Sequence, residues 1–171
     1  MTKGKVDIII IKGAPGSGKS LSAKALSNLF PSGVRIEIDT LRSMVISVDW
    51  TNQEEHISIL NLSINLVYDF YQLKFQPIIV VDTFSGNKIL NYHEQLLRLN
   101  KNLSIKIYGL YVSDEELEKR IVSRKEGEFK DLGICKKLNS DVLKHKYHDE
   151  FQINTTGLLP EQTAKIIFNN L

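Results

Sequence analysis

Apolar residues in this chain cluster in two ways. Val6 to Ile11 and the PIIVVD segment from Pro77 to Asp82 are continuous, largely β-branched runs, the pattern of strands buried on both faces. Val34 to Ile38 instead alternates apolar with charged residues, which predicts a strand near a sheet edge. Ile105 to Val112 and the short Phe151 to Asn154 read as two further strands. Helical patterns fill the intervals. LSAKALSNL follows the first strand, and Phe30-Pro31-Ser32-Gly33 ends it. Thr51-x-x-Glu54 reads as a capping box for a long helix. That helix carries Ile57, Leu60, Ile64, Val67 and Tyr71 on one stripe and Ile59, Leu62, Leu66, Phe70 and Leu73 on the next, a width that predicts burial of most of its apolar surface. A helix from about Asn87 to Leu99 comes next, and Ser113-x-x-Glu116 caps another that runs on through Arg120 and Arg124. Gly127 and Gly133 bracket a polar stretch, Cys135 to His148 reads as a polar helix, and Pro160 opens a last helix to Leu171. Strands alternating with helices imply right-handed crossovers and a parallel sheet covered on both faces. In such sheets ligands bind beyond the carboxyl ends of the strands, which is where residues 13–20, Asp39, Asp82 and Asp114 fall.

One of these junctions carries explicit chemistry. Gly13-Ala14-Pro15-Gly16-Ser17-Gly18-Lys19-Ser20 has the Gly-x4-Gly-Lys-[Ser/Thr] spacing of a phosphate-binding P-loop, set between a strand and a helix as that motif requires. The glycines let the backbone curl so that successive N–H groups line an anion cradle, and the following helix adds its positive end. Lys19 is placed for the outer phosphates and Ser20 for a magnesium ion. ATP and Mg2+ are therefore the expected cofactors. Composition adds little: 171 residues suit one domain with its own core, and Lys+Arg 22 against Asp+Glu 20 neither demands nor excludes a nucleic-acid partner. The single cysteine, Cys135, has no internal disulfide partner and reads as a buried thiol in a reducing compartment. The opening MTKGKVDIIIIKG has too short an apolar run for a leader or a membrane span, so a cytoplasmic protein without a membrane partner is expected.

The order of motifs resembles small P-loop kinases, above all the group of polynucleotide 5′-hydroxyl kinases and zeta-toxin-like kinases. GAPGSGKS, Asp39-Thr40-Leu41-Arg42 as an Asp-x-x-Arg, VVDTFSGN as a strand-end Asp-Thr segment, and Arg120-x-x-x-Arg124 as lid arginines carry the likeness. The tail INTTGLLPEQTAKIIFNNL is similar to the closing strand and helix of small kinases. Two departures concern the acceptor: Phe84 and Ser85 stand where polynucleotide kinases tend to have Asn, and RKEGEF is closer to gluconate kinases. The resemblance implies an α/β three-layer sandwich with a five-stranded parallel sheet, one domain over residues 1–171, and a lid over about 120–148.

It also assigns roles. Gly13 to Ser20, with Arg120 and Arg124, would hold the nucleotide; Lys19 and Arg124 would stabilise the transferring phosphoryl group. Asp39 would accept the proton of the attacking hydroxyl, Arg42 would hold an anionic group of the acceptor, and Thr83 would line the acceptor site. Ser20 and Asp82 would serve magnesium. The favoured acceptor is the 5′-hydroxyl of a nucleic acid, with Trp50 stacking a base; the alternative is a small molecule such as a nucleotide-sugar, a gluconate-like sugar acid or a nucleoside. An ATPase switch without an acceptor is the competing class, and it has no need of Asp39-x-x-Arg42 or the lid arginines. Tyr108 and Tyr111 read as strand packing, His145 and His148 as a solvated helix face, and His56 and His93 as ordinary surface or helix-end residues.

Overall fold

The computed structural model describes residues 6–171; the reading of the first few residues as no part of a leader lies outside this range. The strands are β1 (Ile8–Gly13), β2 (Val34–Glu37), β3 (Ile78–Asp82), β4 (Ile105–Tyr111) and β5 (Glu150–Asn154). They form one parallel sheet in the order β2-β3-β1-β4-β5, with β1 at its centre. The helices are α1 (Lys19–Ser27), α2 (Ile38–Arg42), α3 (Gln53–Gln72), α4 (Lys88–Leu99), α5 (Asp114–Val122), α6 (Leu132–Lys144) and α7 (Pro160–Asn169).

The two continuous apolar runs become the two adjacent inner strands β1 and β3, and the alternating run becomes the edge strand β2. Side chains of β1 divide between the faces as a pleated strand demands. Ile8 and Ile10 pack with Ile36, Val80 and Ile107 under α3 and α4, which contribute Leu60, Ile64, Val67, Tyr92 and Leu96. Ile9 and Ile11 pack with Val81 and Leu110 under Ala23 and Leu26 of α1 and Ala164 and Ile167 of α7. A smaller cluster of Val112, Leu117, Ile121 and Cys135 joins α5 and α6 beside the end of β4. The three-layer sandwich expected from the motifs is the observed architecture.

Several boundaries differ from the sequence reading, each for a local reason. The cap of α3 is Asn52, whose side-chain oxygen accepts from the N–H groups of Glu54 and Glu55 at 3.0 Å; the Thr51 hydroxyl is already committed to Asp49, at 2.7 Å. Most of the broad apolar face of α3 packs on the core, Leu60, Ile64 and Val67 within it and Ile59, Leu66, Phe70 and Tyr71 against it; Ile57, Leu62 and Leu73 are exposed, and His56 and Ser63 also lie on the buried stripe. Ser113 does cap α5, accepting from Glu116, but the helix ends at Val122. Arg124 therefore lies beyond it and does not share a helix face with Arg120. Finally, α6 begins at Leu132 and stops at Lys144. His145 closes it, with Nδ1 turned back to Asp141 at 2.6 Å, while His148 lies past the helix against Asp149.

Candidate active site

The P-loop joins the carboxyl end of β1 to α1. Gly16 and Gly18 take φ of 86° and 88°, the left-handed region that glycine enters without a Cβ penalty. A Cβ at Gly13 would collide with Ser17, and one at Gly16 would come within 2.8 Å of Leu117 on α5. The loop is thus packed from below and from the side. Ser17 is fully buried, and its Oγ has no hydrogen-bond partner among the described residues. The cradle opens into a cleft of about 710 Å³, within the size range of small-molecule sites. Its walls are Gly16 to Ser22, then Arg120 and Arg124, and Leu158 with Pro160.

Lys19 is the electrostatic centre. Enclosure by the surrounding chain pushes its ammonium below the ordinary lysine value; Asp39 and Asp82, with Glu37, pull the other way, and Arg124 adds to the lowering. Lys19 and Arg124 wall the same cleft, and Asp82 ends the strand beside the one that leads into the P-loop. The Lys19 ammonium donates to the Ala14 carbonyl at 3.5 Å. Ser20 is exposed in the first turn of α1 and Asp39 in the first turn of α2.

The two arginines of the α5 region divide their work. Arg120 donates to Glu116 at 3.1 Å, to the Gly16 carbonyl at 3.4 Å and to the Thr155 carbonyl at 2.8 Å. It clamps the P-loop to α5 and to the loop after β5, and Thr155 in turn bonds the Ser17 carbonyl. Arg124 holds the turn after α5 through the Phe129 carbonyl, at 3.0 Å, and Glu128, at 3.7 Å.

Arg42 is only 5% exposed. Its Nη2 donates to the Asp49 carbonyl at 3.0 Å and lies 3.6 Å from Glu55, and the guanidinium stacks on Trp50 at 4.8 Å. The guanidinium is an internal brace for the loop between α2 and α3. Around it Met44, Ile46 and the half-exposed Trp50 face solvent. Thr83 is partly exposed directly after Asp82.

Asp82 ends β3 beside β1 and is buried. Both of its oxygens lie 3.2 Å from Nε2 of His56, and Oδ2 also accepts from the Phe84 N–H at 3.1 Å. Burial pushes this carboxyl up, but the His56 hydrogen bond, the Phe84 N–H and Lys19 outweigh it and hold the group below its ordinary range. A carboxylate has about four lone-pair positions, so these bonds leave room for water on a cation. With the Ser20 hydroxyl, Asp82 offers the hard oxygen donors that magnesium takes. His56 is the site residue the sequence reading missed. Its signal was register: it precedes Leu60 by one turn on the stripe that α3 buries.

A second buried polar pair was also not foreseen. Lys12, the register partner of Asp82, reaches Glu150 at 2.9 Å, and the two residues are 1% and 3% exposed. The pair crosses β4 at Gly109, where any Cβ would collide with the Glu150 carboxylate.

No family model and no curated protein matches the chain. Solved structures do. The tunicamycin resistance protein of Deinococcus radiodurans is similar over 97% of this chain and 95% of its own, at 20% identity and a TM-score of 0.68. The APS kinase of Mycobacterium tuberculosis, solved with AMPPNP and APS, is similar over 98% of both chains at 12% identity and a TM-score of 0.70. A chain of an RNA repair complex is similar over 86% of this chain and 48% of its own, at 22% identity and a TM-score of 0.67. The fold is that of the P-loop kinases. Among the described residues no helix is long and apolar enough to cross a membrane.

Proposed function

We propose that the protein is an ATP-dependent phosphotransferase that moves the γ-phosphoryl group to an acceptor hydroxyl. The observation that carries this reading is the P-loop at the end of β1, with Lys19, Ser20 and Arg124 walling one cleft and Asp82 ending the neighbouring strand. Phosphoryl transfer depends on positioning and charge neutralisation more than on covalent help from the protein, and these groups supply both. Gly13 to Ser20 cradle the phosphates, and Lys19 and Arg124 face the charge that develops on the transferring group. Asp39 takes the acceptor proton as its oxygen attacks phosphorus and ADP leaves. Ser20 and Asp82 would hold magnesium, which when bound would supply charge neutralisation for the phosphates. A switch ATPase would require no exposed carboxylate opposite the P-loop lysine.

For the acceptor, the reading is a small molecule that presents its hydroxyl beside a planar or apolar portion. Its support is the exposed Met44, Ile46 and Trp50 on the loop after Asp39. The polynucleotide reading is retained for Trp50 as a base-stacking surface and for the fold shared with the RNA repair chain. Its phosphate contact would draw on Arg42, which is buried with Nη2 on the Asp49 carbonyl and near Glu55 and its guanidinium against Trp50. Labelled ATP offered with sugar acids, nucleosides, nucleotide-sugars, aromatic alcohols and 5′-hydroxyl oligonucleotides decides between them. Product on a small molecule with a shallow salt dependence is the expected result; labelled oligonucleotide ends with affinity falling steeply in salt would restore the polynucleotide reading.

A further inference from the structure

We propose that His56 is a positioning residue for this chemistry: it fixes the Asp82 carboxylate in the orientation that metal-bound nucleotide requires and ties it to the start of α4. The inference rests on the kinase reading above and concerns a side chain that touches no substrate.

Nε2 of His56 lies 3.2 Å from both oxygens of Asp82, so the imidazole bridges the carboxylate and opposes its rotation. The other nitrogen fixes the tautomer. Nδ1 is 3.1 Å from Nζ of Lys88, and an ammonium can only donate. Nδ1 is then the acceptor, and Nε2 carries the proton it gives to Asp82. Lys88 also donates to Oε1 of Gln53 at 2.8 Å. Gln53 and Lys88 are the first residues of α3 and α4, so one polar chain connects both helix starts to the end of β3. This chain starts at Asp82, the register partner of the residue before the P-loop, and His56 lies on the α3 stripe that also buries Leu60, Ser63, Ile64 and Val67. An apolar side chain there would pack without the cost of desolvating an imidazole and a carboxylate. A role in fixing Asp82 accounts for the polar choice.

The test uses the full chain and two readouts: nucleotide binding by calorimetry across a magnesium titration, and the saturated transfer rate. His56→Leu keeps volume without the donor, and His56→Gln returns an N–H near the Nε2 position. Partners that orient metal-site groups typically contribute about 10- to 100-fold in metal affinity or activity. His56→Leu is expected to raise the magnesium concentration for half-maximal nucleotide binding by about tenfold and to lower the rate by up to about 100-fold, with metal-free nucleotide binding unchanged. His56→Gln is expected to recover most of both. Wild-type metal dependence in His56→Leu, or equal impairment in His56→Gln, overturns the inference. If His56→Leu does not fold, Lys88→Met carries the test, because it leaves the imidazole but cuts its tie to the start of α4; an unchanged metal dependence there also overturns the inference. A wild-type protein that binds nucleotide but phosphorylates no acceptor removes the kinase reading alone, and the magnesium titration still decides the role of His56.

Discussion

Lys19 and Asp39 are assigned different roles in the proposed transfer, and their removal should fail in different ways. Lys19→Ala deletes a charge aimed at the phosphates and should lower turnover about 10²-fold or more with the fold intact by circular dichroism; near-wild-type turnover would reject the assignment. Asp39→Asn keeps size but cannot take a proton, so nucleotide binding should survive while transfer falls about 10²- to 10⁴-fold. An unchanged rate at saturating substrates would leave Asp39 as an ordinary first-turn carboxylate of α2. Arg42→Ala should act on stability: it strips Trp50 of its stacked guanidinium and leaves Glu55 without its partner. A lower melting temperature with an unchanged salt dependence of acceptor binding is expected. The P-loop side of the site was legible because its spacing is its mechanism. Burial of Arg42 was not, because it depends on Asp49 and Glu55, contributed by the loop and the helix that follow α2.

At the α5–α6 segment, the sequence offers a polar stretch between glycines, and the expected lid covers about 120–148. The contacts of α6 argue for a smaller moving part. Asn139 exchanges two hydrogen bonds with the Val112 backbone, Asp141 accepts from the Gly86 N–H, and Gln152 and Lys12 donate to the Val142 and His145 carbonyls. These bonds fasten α6 to β4, to the loop after β3, to β5 and to β1. We therefore propose that closure over nucleotide is confined to about 123–131, the turn that carries Arg124. Cys135 provides the check. It is buried against Leu117 and Ile121, and burial pushes its thiol up, which slows alkylation. Labelling should stay slow with and without an ATP analogue, while hydrogen exchange in 123–131 slows on binding; labelling that responds strongly to nucleotide would mean that α6 moves as well.

The Lys12–Glu150 pair belongs to the same fastening. Removing one member of a buried pair costs about 3–5 kcal/mol, and in a chain of this size that is a fall of roughly 10 °C in melting temperature. Lys12→Met and Glu150→Gln should each show it in thermal unfolding, and a change of only a degree or two would mean that the pair is not coupled in solution. Sequence periodicity gave no warning here, since Lys12 and Glu150 lie on strands separated by β4 and meet only because Gly109 leaves the space.

Taken together, the alternation of strands and helices was enough to place every functional carboxyl end on one rim of the sheet, because a parallel sheet with right-handed crossovers leaves little choice. What escaped was lateral: which face of α3 is buried, and which polar groups cross between strands. Periodicity along one element carries no information on its neighbours, so a histidine in an apolar stripe reads as a surface residue until β3 supplies Asp82. The central claim is that this site transfers phosphate to a hydroxyl and does not merely release it. The most direct measurement is the ratio of phosphorylated acceptor to ADP, taken with labelled ATP and magnesium over the acceptor panel. A ratio near one with the true acceptor, ADP formation that depends on that acceptor, and loss of both in Asp39→Asn are the expected result. ADP released at the same rate with no acceptor present, and no phosphoester on any member of the panel, would contradict it.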